Sequence, residues 1–121
     1  MVDDDEHVLN VIDTILSLEG YDVSRSFDAE EALAILAERD VQVLISDHLI
    51  LGRVGLELLD QVRHWYPAVI RILLTGYSSA ELPQHLLNRA RVSALLQKPF
   101  TRQALLDTVR QALESAPLTT V

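Results

Sequence analysis

Four places in the chain carry side chains suited to one kind of chemistry. Residues 3–6 read Asp3-Asp4-Asp5-Glu6, Asp47 and Thr75 each close an apolar run, and Lys98 stands before Pro99. Several carboxylates within reach of one another repel and call for a cation. Hard oxygen ligands with room for water suit Mg²⁺. An ammonium and a hydroxyl beside them can hold a phosphoryl group, the first as a point charge and the second as a hydrogen-bond donor. Asp47 and Thr75 are 28 residues apart and Thr75 and Lys98 are 23 apart, so each interval has room for a helix and a strand.

The elements that must gather these groups follow from two periodicities. Val41–Ser46, Val69–Leu74 and Ala94–Gln97 are short runs rich in branched residues and predict buried strands. Tyr21–Ser26 alternates and predicts an edge-like strand, while the first strand is confined to Met1-Val2. Val8, Val11, Ile12, Ile15 and Leu16 recur at helical spacing over His7–Glu19, with Gly20 as the stop. Asp28 and Glu31 match a capping box opening a helix to about Arg39. A third helix carries Leu56, Leu59, Val62 and Arg63 and ends before Pro67. A fourth begins between Ala80 and Pro83, and a fifth is capped by Thr101 and carries Leu105, Val109 and Leu113. A βα unit repeated five times implies a parallel sheet with helices on both faces. Sites in such sheets lie at the carboxyl ends of the strands, where the four groups stand.

Composition narrows the field of functions. The 121 residues suit one domain, and an apolar fraction of 49% favours a packed core over disorder. With no cysteine, disulfide scaffolds, thiolate metal sites and thiol nucleophiles are excluded, and the cytoplasm is the default compartment. A net charge of −8 repels a phosphate backbone, so no direct contact with nucleic acid is expected. No apolar run has the roughly 18 residues of a membrane span, and the acidic start is unlike a signal peptide. His7, His48, His64 and His85 lack metal-ligand spacing and read as surface residues.

At these residues the chain resembles the response-regulator receiver family over essentially its whole length. The resemblance rests on Asp4-Asp5-Glu6, Leu44-Ile45-Ser46-Asp47, Gly55, Leu73-Leu74-Thr75-Gly76-Tyr77 and Lys98-Pro99-Phe100, each group in order at a predicted strand end or turn. It implies an α/β, flavodoxin-like, doubly wound (βα)5 fold with strand order 2-1-3-4-5. Residues 1–115 would be the receiver domain and 116–121 a C-terminal tail or linker. It implies that Asp47 accepts a phosphoryl group from a histidine kinase or phosphotransfer protein. Asp5 would bind Mg²⁺ directly, Asp4 through water, with Asp47 and the backbone carbonyl of Leu49 completing the set. Asp3 offers a competing register for the acidic pair, and Glu6 favours Asp4-Asp5. Thr75 and Lys98 would bind the phosphoryl oxygens, and the Lys98-Pro99 bond would be cis. The family's partner face, built from its fourth helix, fifth strand and fifth helix, would serve an output domain or a homodimer, and Leu86, Leu87 and Leu95 are candidates for it or for the core.

Departures from the family pattern keep a second reading open. Ile50-Leu51 replaces the usual Met-Pro, which should loosen the loop after Asp47, and Leu95 stands where an aromatic switch residue is common. A pseudo-receiver, working as a phosphorylation-independent interaction module, is the alternative. An aspartyl phosphatase or dehalogenase would need a second acid two residues after the nucleophile, where Leu49 stands. No enzyme activity is therefore expected beyond self-phosphorylation and self-dephosphorylation. Tyr77 is a candidate to cover the site and His48 to tune access to it; Trp65 and Tyr66 should pack at the base of the third helix.

Overall fold

The computed structural model describes residues 1–50, 53–77, 81–82 and 84–115. Its helices are α1 (Glu6–Leu18), α2 (Ala29–Glu38), α3 (Gly55–Trp65), α4 (Gln84–Ala90) and α5 (Arg102–Ser115). Its strands are β1 (Val43–Asp47), β2 (Leu49–Ile50), β3 (Arg53–Val54), β4 (Ile70–Thr75) and β5 (Ala94–Gln97). Local chemistry sets several helix ends. Asp5 caps α1 by accepting from the His7 amide at 2.9 Å, and Gly20 follows the helix with φ +92°, which glycine adopts without strain. Asp28 accepts from the Glu31 amide at 2.8 Å, and Thr101 Oγ1 from the Ala104 amide at 3.0 Å. Of the predicted start of the fourth helix, Ala80 to Pro83, residues 80 and 83 lie outside the described ones, and α4 itself begins at Gln84.

The sheet is parallel, in the order β1-β4-β5. Alternation along its strands feeds two cores. Leu44 and Leu73 pack with Ala32 and Leu36 of α2, with Leu56, Leu59 and Val62 of α3, and with Ala90 of α4. Ile45, Ile72, Leu74 and Leu96 face the other way and pack with Ile12 and Leu16 of α1 and Leu105 and Val109 of α5. Helices on both faces are what buries strands with no polar side. Leu87 and Leu95 pack against the first core, so neither is simply a surface residue; the Leu86 side chain is outside the described ones. Trp65 instead stands 67% exposed, edge-on to His64, and only Tyr66 joins the core.

Two regions differ from expectation. Met1-Val2 and Tyr21–Ser26 do not form strands: Val2 makes single parallel bridges to Ser26 and Ser46. A three-residue wedge has few bonds to give. The Val2 amide donates to Ile45 at 2.9 Å, the Asp47 amide to Val2 at 3.0 Å, the Asp3 amide to Ser26 at 3.2 Å and the Ser26 amide to Met1 at 3.0 Å. Beside the wedge is a cavity of about 520 Å³ lined in part by Met1, Tyr21, Val23, Val43, Leu44 and Val109. On either side of Leu51 and Gly52, which lie outside the described residues, the chain after Asp47 makes a pairing that the sequence does not predict. Leu49–Ile50 and Arg53–Val54 pair as a small antiparallel ladder, and the Gly55 amide donates to the His48 carbonyl at 2.6 Å.

Candidate functional site

Strand register does the first work of assembling the site. Asp47 ends β1 opposite Leu74, Thr75 ends β4 opposite Gln97, and Lys98 is one step beyond. The Lys98 amide donates to the Thr75 carbonyl at 2.7 Å, fixing the last rung, and the Lys98-Pro99 peptide is cis. The Lys98 ammonium then reaches across the sheet edge to Asp47 Oδ1 at 2.9 Å and stands 3.6 Å from Asp3 Oδ2. Burial works to lower the pKa of Lys98, but the hydrogen bond and charge of Asp47, with the charge of Asp3, outweigh it and raise the value.

The backbone under Asp47 is shaped by a glycine. A Cβ on Gly55 would lie 1.9 Å from the Asp47 carbonyl oxygen, so α3 can begin this close to β1 only if residue 55 has no side chain. The buried Ser46 hydroxyl donates to the same carbonyl at 3.0 Å.

The acidic cluster is shifted by one residue from the expected register. Carboxylate oxygens of Asp3, Asp4 and Asp47 lie within 4.8 Å of one another. Asp5, expected to be the direct Mg²⁺ ligand, is outside this group: its side chain caps α1 instead. The signal was available in the sequence. A helix beginning at Glu6 needs an acceptor at residue 5, and a strand ending at Val2 delivers residue 3 to the pocket. Asp3 is only 1% exposed. Its Oδ1 accepts from the Asp5 amide at 2.9 Å, while its Oδ2 is buried with no hydrogen-bond partner. Desolvation, with added repulsion from Asp47 and Asp4, raises its pKa against the lowering effect of the Asp5 amide. A buried oxygen with no hydrogen bond, among three converging carboxylates, is what a hard divalent cation would satisfy.

Thr75 is buried, and its Oγ1 accepts from the Tyr77 amide at 3.1 Å. The Tyr77 ring meets the His48 ring edge-on, centroids 5.5 Å apart, so the loops after β4 and β1 touch beside the site. Leu49 opens β2, opposite Val54, with its side chain 56% exposed.

The family described as "Response regulator receiver domain" matches residues 1–110. The chain is a response regulator receiver domain. It is 33% identical over 118 residues to the hydrogenase transcriptional regulatory protein HoxA of Cupriavidus necator, a match covering 98% of this chain and 24% of HoxA. The receiver thus spans about a quarter of the length of that relative. A CheY-like receiver domain protein from Methanospirillum hungatei JF-1 superposes with a TM-score of 0.87 at 30% identity, covering 95% of this chain and 91% of the other. The signal receiver domain of an HD domain-containing protein from Pseudomonas fluorescens Pf-5 gives 0.86 at 36% identity, covering 93% and 83%. Among the described residues no helix of this receiver is long and apolar enough to cross a membrane.

Proposed function

We propose that Asp47 accepts a phosphoryl group from the phosphohistidine of a kinase or phosphotransfer protein. The observation that carries this reading is the Lys98 ammonium 2.9 Å from Asp47 Oδ1, with Asp3 and Asp4 converging on the same carboxylate. A carboxylate oxygen of Asp47 attacks phosphorus in line. The new P–O bond forms as the P–N bond to the donor imidazole breaks, and the electron pair returns to that ring. Lys98 stays beside the Asp47 oxygen and offsets the charge that arrives, and the Thr75 hydroxyl donates to a phosphoryl oxygen.

Asp3, Asp4, Asp47 and the Leu49 carbonyl would hold Mg²⁺, with Asp3 taking the place expected of Asp5. Bound there, the ion supplies neutralisation of phosphoryl charge. Slow attack of water on the acyl phosphate returns Asp47 to its free carboxylate, so the receiver is a self-resetting switch rather than an enzyme acting on other substrates. The reading puts the chain in the cytoplasm as residues 1–115 with a tail at 116–121, answering to an output domain or a second copy through α4, β5 and α5. The two bridges of Val2, to Ser26 and Ser46, support the family's strand order 2-1-3-4-5 with the first two strands cut short.

The test is labelling by acetyl phosphate with Mg²⁺ present. Wild type should gain one phosphoryl group by intact mass, and Asp47→Asn none. Equal labelling of both proteins would sink the assignment.

A further inference from the structure

We propose that Tyr77 is a positioning residue for the Thr75 hydroxyl and that it is held in place by His48. The inference rests on the phosphoacceptor reading above and extends it to two residues outside the acid, hydroxyl and lysine set.

The observations form a closed circuit. His48 follows Asp47 directly, and its carbonyl accepts the Gly55 amide at 2.6 Å, which fixes its backbone to the start of α3. Its ring packs edge-on against Tyr77 at 5.5 Å. The Tyr77 amide donates to Thr75 Oγ1 at 3.1 Å. The Thr75 carbonyl accepts from the Lys98 amide at 2.7 Å, and the Lys98 ammonium returns to Asp47 at 2.9 Å. Every link but one is a covalent bond, a hydrogen bond or an ion pair; the ring contact closes the loop.

A hydroxyl has one proton to donate and two lone pairs. The Tyr77 amide occupies a lone pair of Thr75 and leaves its O–H available to a phosphoryl oxygen. How well that donor is aimed depends on how firmly the turn from Thr75 to Tyr77 is held. Tyr77 is half exposed, so little burial holds it down, and the ring contact with His48 ties it to another loop. An aromatic pair contributes beyond the area it covers. Leu95 on β5 packs against the core, and His48, after β1 on the other flank of β4, makes with Tyr77 a ring-to-hydroxyl link from that side.

The experiment is titration of the full chain with beryllofluoride and Mg²⁺, followed by amide chemical shifts, for wild type, Tyr77→Phe, Tyr77→Ala, His48→Ala, Thr75→Ala, and Tyr77→Ala combined with Thr75→Ala. Tyr77→Ala and His48→Ala should each weaken binding about three- to tenfold, as a ring pair of ordinary strength predicts. Tyr77→Phe should bind as wild type does, since it keeps the ring. Once Thr75 is alanine, adding Tyr77→Ala should change nothing further. Urea midpoints should move little in any Tyr77 variant, which separates positioning from a structural role. Wild-type binding with an unaltered Tyr77→Ala, or a Tyr77 effect that persists without the Thr75 hydroxyl, overturns the positioning role alone. No binding by wild type overturns the phosphoacceptor reading and the positioning role with it.

Discussion

Asp47, Thr75 and Lys98 stand at the ends of strands joined by five residue pairs between β1 and β4 and four between β4 and β5. Asp3 ends the three-residue wedge, residues 1–3, which is joined to its neighbours by one bridge on each side, and Asp4 follows it. The residues assigned to the phosphoryl group are therefore set by ladders in which each hydrogen bond repeats its neighbour's constraint. Those assigned to the cation are set by a few bonds and by charge. The difference teaches a division of labour. A nucleophile and its ammonium need fixed geometry before the reaction. An acidic edge held by fewer bonds leaves room for a cation to complete it, and the buried Asp3 oxygen without a hydrogen bond marks where that completion would be felt.

The severest way to break the comparison is to deform the laddered half. Gly55→Ala drives a methyl group to 1.9 Å from the Asp47 carbonyl, a backbone atom that cannot rotate away. The helix start or the strand end must shift, and we expect a loss of about 3 kcal/mol in urea unfolding. Phosphoryl uptake should fall with it, because the Asp47 carboxylate moves relative to Lys98. A variant with wild-type stability and labelling would show that the close approach is relieved cheaply and that the ladder is not what fixes Asp47.

A second test sharpens the contrast from the wedge side. The Met1 amine is buried where it donates to the Ser24 carbonyl at 2.9 Å. Desolvation lowers its pKa to about 6, against an opposing pull from Asp13. The unfolded amine titrates near 8, so between pH 6 and 8 the unfolded chain holds a proton that the folded chain has released. Stability must then rise with pH across that window, by up to about 2 kcal/mol, and be lost as pH falls through it. Thermal melts at pH 6, 7 and 8 check the slope, and acetylating the amine should flatten it. An acetylated chain with the same slope would assign the effect elsewhere.

The laddered half was also the legible half. Val43, Leu44 and Ile45 form a run that buried strands share, and such runs end where chemistry is placed, so Asp47, Thr75 and Lys98 could be read from residue order alone. Helix caps at Asp28 and Thr101 were legible for the same local reason. The acidic register carried only an indirect signal, the need of α1 for a cap, because four acids in a row give pattern no purchase. In the structure α1 takes Asp5 as its cap, and the bridge at Val2 carries Asp3 inward beside Asp4 and Asp47. The contact of His48 with Tyr77 joins two loops that no periodicity links. The ladder of β2 and β3 joins two two-residue strands, too short for alternation to mark them in the sequence.

The smallest effect expected bears most directly on the wedge. Asp3→Asn keeps an oxygen to accept from the Asp5 amide at the position Oδ1 holds now. It removes a buried charge whose burial and carboxylate neighbours raise its pKa. Lys98 loses a contact at 3.6 Å but retains Asp47 at 2.9 Å. Without divalent cations the variant should therefore be more stable than wild type by about 1 kcal/mol. Millimolar Mg²⁺ should raise the wild-type melting temperature, since a ligand bound only by the folded state stabilises it, and should leave Asp3→Asn nearly unmoved. Asp5→Asn, which keeps an acceptor for the α1 cap, should respond to Mg²⁺ as wild type does. If Asp5→Asn lost the response and Asp3→Asn kept it, the cation would belong to the register first read from the sequence, and the buried Asp3 carboxylate would be structural.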